Sequence, residues 1–70
     1  MELNEKQKKI IKILKEEGEV STTKIAFLIS VIYYQAEKYL EELEKEGIII
    51  RIIKNNATYW RIKDEKTRQS

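Results

Sequence analysis

Gly47 divides this chain into two kinds of sequence, and no other feature restricts the possible folds as much. Before it, apolar residues recur every three or four positions among charged ones, the pattern of amphipathic helices. After it comes Ile48-Ile49-Ile50-Arg51-Ile52-Ile53, then Lys54-Asn55-Asn56-Ala57, then Thr58-Tyr59-Trp60-Arg61-Ile62, which reads as strand, turn and strand. The order predicts an α+β domain, mainly helical, ending in a two-stranded hairpin. Seventy residues leave room for one domain, whose core supplies only about 3 to 5 kcal/mol of net stability.

Helix boundaries are marked by local chemistry. A first helix over 4–17 carries Ile10, Ile11, Ile13 and Leu14 on one broad face. Asn4 and Gln7 have the spacing of a capping box, and Gly18 is a natural left-handed terminator. Glu19 and Val20 fit a very short strand. Ser21 is a good N-cap for a second helix reaching Ile29, with Ile25 and Ile29 inward and Ala26 small enough for a close crossing. Ser30 and Val31 break the pattern. A third helix, from Ile32 or Tyr33 to Glu46, places Ala36, Leu40 and Leu43 on its inner stripe, with Gly47 beyond its end.

For the hairpin, residue parity suggests that Ile48, Ile50 and Ile52 share the inner face with Trp60 and Ile62. The register that does this pairs Ile53 with Tyr59 and sets Arg51 opposite Arg61, unfavourable unless an anion faces them. The predicted core is Ile10, Leu14, Ile25, Ile29, Leu40, Leu43, Ile48, Ile50, Trp60 and Ile62. Residues 1–63 form the expected domain, and 64–70 a polar tail that should fray.

The composition excludes much chemistry. There is no cysteine and no histidine, so no disulfide, thiolate nucleophile, imidazole base or His-ligated metal is available. The glutamates show no metal-ligand spacing. The expectation is a protein that is not an enzyme and takes no cofactor and no metal. The longest apolar stretch after the start, Ile25 to Ile29, is too short for a signal peptide or a membrane span. A cytoplasmic, nucleoid-associated protein with no membrane partner is expected. Abundant Lys, Glu and Ile, with 37% of residues charged, suit an archaeal or thermophilic source; an AT-rich genome produces the same bias.

The element order, with Leu40-Glu41-Glu42-Leu43-Glu44-Lys45-Glu46-Gly47-Ile48-Ile49 closing the third helix, resembles the winged helix-turn-helix family of bacterial and archaeal regulators over residues 6–63. Two leucines seat the helix, Gly47 reverses the chain, and the apolar pair enters the sheet. Four residues depart from the family pattern. Ser30 stands where Gly is frequent, Ile32 where a polar N-cap is frequent, and Phe27-Leu28 where the outer face of the second helix is commonly polar.

The resemblance implies double-stranded DNA binding by a transcriptional regulator, with the third helix in the major groove and the wing on the backbone. By position, Tyr33, Tyr34, Gln35 and Lys38 would face the groove, Gln35 reading an adenine edge and Lys38 a guanine or a phosphate. The alternative is that the tyrosines pack on the first helix. The wing would offer Arg51, Lys54, Asn55, Asn56, Arg61 and Lys63. Charge is distributed accordingly. Residues 33–47 hold two lysines and five glutamates, a balance of −3, while residues 48–70 hold six cations and two anions, a balance of +4. Solubilisation of an isoleucine-rich hairpin would also explain the wing charges.

Winged helices also serve as protein-docking modules within larger nucleic-acid or membrane-remodelling complexes, and the acidic end of the third helix keeps that reading open. Finally, Ile49, Ile53, Tyr59, Phe27 and Leu28 exceed what the predicted inner faces can bury. That surplus suggests a homodimer through a surface including Phe27 or Leu28, unless those two complete the core.

Overall fold

The computed structural model describes residues 2–63; the tail expected to fray lies outside them. Its elements are α1 (Glu5–Glu17), β1 (Val20–Ser21), α2 (Thr22–Ile29), α3 (Tyr33–Lys45), β2 (Ile49–Lys54) and β3 (Ala57–Ile62). The fold is a winged helix-turn-helix: three helices against an antiparallel sheet in the order β1-β3-β2. The short strand joins the hairpin through β3, pairing Val20 with Trp60 and Ser21 with Tyr59.

Each helix ends where its sequence dictates. The Asn4 side chain accepts from the Gln7 backbone N–H at 2.8 Å, and Gln7 Oε1 accepts from the Asn4 N–H at 3.2 Å, a complete capping box. Ser21 Oγ accepts from the Lys24 N–H at 3.1 Å. The ends of α2 and α3 are closed alike. Val31 N–H donates to Ala26 C=O, and Ile48 N–H to Leu43 C=O, both at 3.0 Å and both spanning five residues. This closure needs a left-handed residue just before the donor. Gly47 supplies it at φ 78°, and Ser30 at φ 59°, where an L side chain is disfavoured by about 1 to 2 kcal/mol. The Lys6 ammonium donates to Ile29 C=O at 2.6 Å, satisfying a carbonyl at the end of α2 with a favourable charge. Ile32, at the N-cap of α3, makes no side-chain cap hydrogen bond, as the sequence implied.

The core joins Ile10, Ile13 and Leu14 of α1, Val20 of β1, Ile25 and Ile29 of α2, Leu40 and Leu43 of α3, Ile49 of β2 and Trp60 of β3. Two polar contacts, one buried and one half-buried, tie it together. Gln7 Nε2 donates to Glu42 Oε1 at 2.7 Å, linking α1 to α3. Trp60 Nε1 donates to Thr22 Oγ1 at 2.7 Å, and that hydroxyl donates to Thr58 C=O at 3.4 Å, linking wing to helix-turn-helix.

The hairpin register differs from the parity expectation by one residue. Ile53 pairs with Thr58, Ile52 with Tyr59, Arg51 with Trp60 and Ile50 with Arg61, so Arg51 is not opposite Arg61. The cause lies in the turn. Asn55 and Asn56 both adopt left-handed backbone, φ 52° and 61°, making the two-residue connection whose twist matches antiparallel strands. The five-residue loop of the other register is not formed. A one-residue shift exchanges the faces. Ile49 is buried beside Trp60, while Ile50 and Ile52 turn to the outer face with Tyr59 and remain half-buried. Of the predicted core, Ile50 is therefore misplaced. Ile48 and Ile62 pack partly buried against its edge, and the predicted surplus loses Ile49.

Candidate nucleic-acid interface

The first turns of α3 leave large side chains exposed. With no side-chain cap at Ile32, and with Ala36, Leu40 and Leu43 turned inward, the helix leaves Tyr33 at 48% and Tyr34 at 61% exposure. The tyrosines therefore do not bury themselves against α1. Lys38 stands one turn beyond Tyr34 with its ammonium 5.4 Å from that ring's centre, an exposed cation–π contact. Gln35 is half-buried. Tyr34, Gln35 and Lys38 line an open trough with Glu41, Glu42 and Lys45. Its N-terminal part, with Tyr34, Gln35 and Lys38, combines an aromatic face, an amide and an ammonium, which suits stacking and hydrogen bonding to a polyanion, while Glu41 and Glu42 make its far part acidic.

Arg61 and Lys63 are exposed and make no ion pair among the described residues. Asn55 and Asn56 are exposed at the hairpin tip. The two β2 cations are engaged inside the domain. Arg51 Nη2 lies 3.2 Å from Glu44 Oε1 and 3.9 Å from Glu41 Oε2, with the guanidinium 5.0 Å over the Trp60 ring. Lys54 pairs with Glu19, its ammonium 5.2 Å over Tyr59. The hydrogen bond and charge of Glu19 raise the Lys54 pKa above its ordinary value. The sequence thus indicated which cations lie on the wing but not that acids on α3 and before β1 hold two of them. Glu19, Glu41 and Glu44 carry no local signal of that pairing, since each partner comes from another element.

Of the two residues expected at a dimer surface, Phe27 is 80% exposed on the outer side of α2, whereas Leu28 packs partly buried against the core. Among the described residues, no group of three or more Asp or Glu is arranged to hold a metal ion, and no helix is long and apolar enough to cross a membrane.

The model of the FaeA-like protein family matches residues 6–64, from the start of α1 to just past β3. The chain belongs to the FaeA-like family. This FaeA-like chain is 40% identical over 58 residues to the major pilus subunit operon regulatory protein of Escherichia coli, covering 80% of this chain and 75% of the relative. It is 39% identical over 59 residues to the P fimbrial regulatory protein KS71A of Escherichia coli, covering 81% and 77%. Those sources lend no support to an archaeal or thermophilic origin for the Lys, Glu and Ile bias. Among solved structures, the FaeA-like fold superposes on a possible transcriptional regulatory protein of Mycobacterium bovis with a TM-score of 0.81 at 24% identity, covering 89% of this chain and 66% of that one. It superposes equally, at 0.81 and 21% identity, on ZitR of Lactococcus lactis, a C30S mutant solved in complex with DNA, covering 91% and 45%. These similarities establish the winged-helix fold, and the FaeA-like chain spans only about half to two thirds of the length of the solved chains.

Proposed function

We propose that this chain binds double-stranded DNA and regulates transcription, with the first turns of α3 in the major groove and the wing along the backbone. The observation that carries the reading is the exposed start of α3, where Tyr33, Tyr34 and Lys38 remain open to solvent. Tyr34 and Lys38 meet sugar and base edges there, and Gln35 reads an adenine from the trough floor. Lys54, Asn55, Asn56, Arg61 and Lys63 supply the backbone contacts of the wing. The names of the two Escherichia coli relatives support a regulatory role at an operon for pili or fimbriae. The ZitR structure, described as a complex with DNA, supports DNA as the ligand of this fold.

The same reading includes a two-fold dimer, since the bivalency of two α3 helices on one pseudo-palindromic site raises affinity. Phe27, large and exposed beside the turn, is its proposed centre, and a domain of the same fold from Mycobacterium bovis is described as homodimeric. Salt-dependent titrations against random duplex, single-stranded DNA and the promoter of the chain's own gene test the first part. Absence of duplex affinity at low salt would transfer the chain to the protein-docking class. Sedimentation equilibrium tests the second: a wild type that stays monomeric at high concentration without DNA removes the constitutive dimer, and a Phe27→Glu variant that still dimerises clears Phe27.

A further inference from the structure

We infer that Arg51 is a positioning residue for the wing, holding β2 against α3 through Glu44 and Trp60, and not a phosphate ligand. The inference rests on the DNA-binding reading for what the wing is positioned to do.

Arg51 pairs directly with Trp60 across the hairpin, so its side chain leaves the sheet on the face that meets the helices. There its guanidinium covers the indole, 5.0 Å from the ring centre, and its fork turns to two carboxylates of α3. Trp60 is itself buried, and its N–H is held by Thr22 at the start of α2. One continuous path therefore runs from the end of α3 through Arg51 and Trp60 to the start of α2. It spans both helices of the helix-turn-helix and the wing between them.

Moving Arg51 to a phosphate would break that path at its centre. One face of the indole would lose its cover, and Glu41 and Glu44 would keep their charges without a partner beside a polyanion. A planar guanidinium lays a flat face on the indole while its fork of donors reaches two carboxylates; an ammonium offers a point charge in place of that fixed geometry. Lys54, on the same strand, is held differently. Its ammonium pairs with the single carboxylate of Glu19 and lies over Tyr59 on the outer face of the sheet, where a phosphate can take the place of that carboxylate without uncovering the buried Trp60.

The test uses Arg51→Lys and Arg51→Met in the full chain, with two readouts. The first is duplex affinity as a function of salt. The second is acrylamide quenching of Trp60, the only tryptophan, measured without DNA. The inference expects both variants to lose about tenfold in affinity at fixed salt, to keep the wild-type salt slope, and to show increased quenching. A phosphate ligand behaves differently. Arg51→Lys would then retain affinity, Arg51→Met would lower the slope by about 0.9, and quenching would stay at the wild-type level. Unchanged quenching in both variants overturns the inference whatever the affinities. If wild type binds no duplex at low salt, the DNA-binding reading fails separately, and quenching alone still decides whether Arg51 seats the wing.

Discussion

At the base of the wing Ile49 and Trp60 are buried, while on the same face of β2, four residues further on, Ile53 is 68% exposed. The two ends share a strand, a register and a residue type. They differ in what stands behind them. The base is backed by α1, by Val20 of β1, and by the Thr22 hydroxyl that accepts the hydrogen bond of the Trp60 N–H. The tip has no such apolar backing, and its exposed turn, Asn55-Asn56, sets its conformation. The base is thus part of the domain core, and the tip is free to meet a ligand. Arg51 lies at the boundary, still held to α3, and Lys54 just beyond it pairs with Glu19 and lies over Tyr59.

The largest effect belongs to the base. Trp60→Ala removes the largest buried side chain and should cost about 3 to 5 kcal/mol. That is comparable with the whole net stability of a domain this small, so the variant should be largely unfolded by circular dichroism at room temperature. A urea midpoint close to wild type would mean that the wing is an appendage and the comparison is wrong. Leu40→Ala or Leu43→Ala, on α3, should cost about 2 to 5 kcal/mol by the same mechanism.

Thr22→Val comes next, because it keeps the shape and removes one atom's chemistry. The Trp60 N–H is left buried without an acceptor, which should cost about 1 to 3 kcal/mol in urea denaturation. A loss below about 0.5 kcal/mol would show that the Thr22–Trp60 bond does not fasten wing to helix-turn-helix.

These two contacts mark where legibility in the sequence ends. Asn4, Ser21, Gly18 and Gly47 act on backbone within a few residues of themselves, so caps and helix ends could be read directly. Ile25, Leu40 and Leu43 could be placed because helical spacing separates inner from outer faces. The wing offered no such contrast: from Ile48 to Ile53 five of six residues are isoleucine, and either face looks suited to a core. Its register was decided by the left-handed tolerance of Asn55-Asn56, a two-residue signal that an apolar parity argument passes over. Gln7 with Glu42, Thr22 with Trp60 and Arg51 with Glu44 join different elements, and polar pairs of that kind leave no periodic trace. In the candidate site, Tyr33, Tyr34 and Lys38 could be placed as outward by helical position. That Arg51 and Lys54 are already paired could not.

At the tip, substitutions should act through backbone conformation alone. Asn56 holds φ 61° without help from the core, so Asn56→Ala should lose about 1 kcal/mol and Asn56→Gly should gain a few tenths, on the order of 0.3 kcal/mol. Both are read from urea midpoints. Equal stability of the Ala and Gly variants would indicate that the turn relaxes to another conformation, and with it the register that buries Ile49.

The smallest effect on stability should come from Lys54→Met, and it is the sharpest contrast with Arg51. Glu19 raises the Lys54 pKa, first by hydrogen bonding and then by its charge, but the pair lies at the surface and the surrounding water screens it. A raised folded-state pKa means that any stabilisation is fully present below the ordinary value of 10.5 and lost only as pH rises through the folded value above it. Wild type and Lys54→Met should therefore differ by a constant amount close to zero from neutral to mildly alkaline buffer, and Trp60 quenching should be identical in the two. Duplex binding is where they should separate. With Lys54 free to exchange Glu19 for a phosphate, its removal should lower the salt slope by about 0.9, the change that Arg51→Met is expected not to produce. A Lys54→Met slope equal to wild type would place the tip off the DNA backbone and confine the proposed contact to α3.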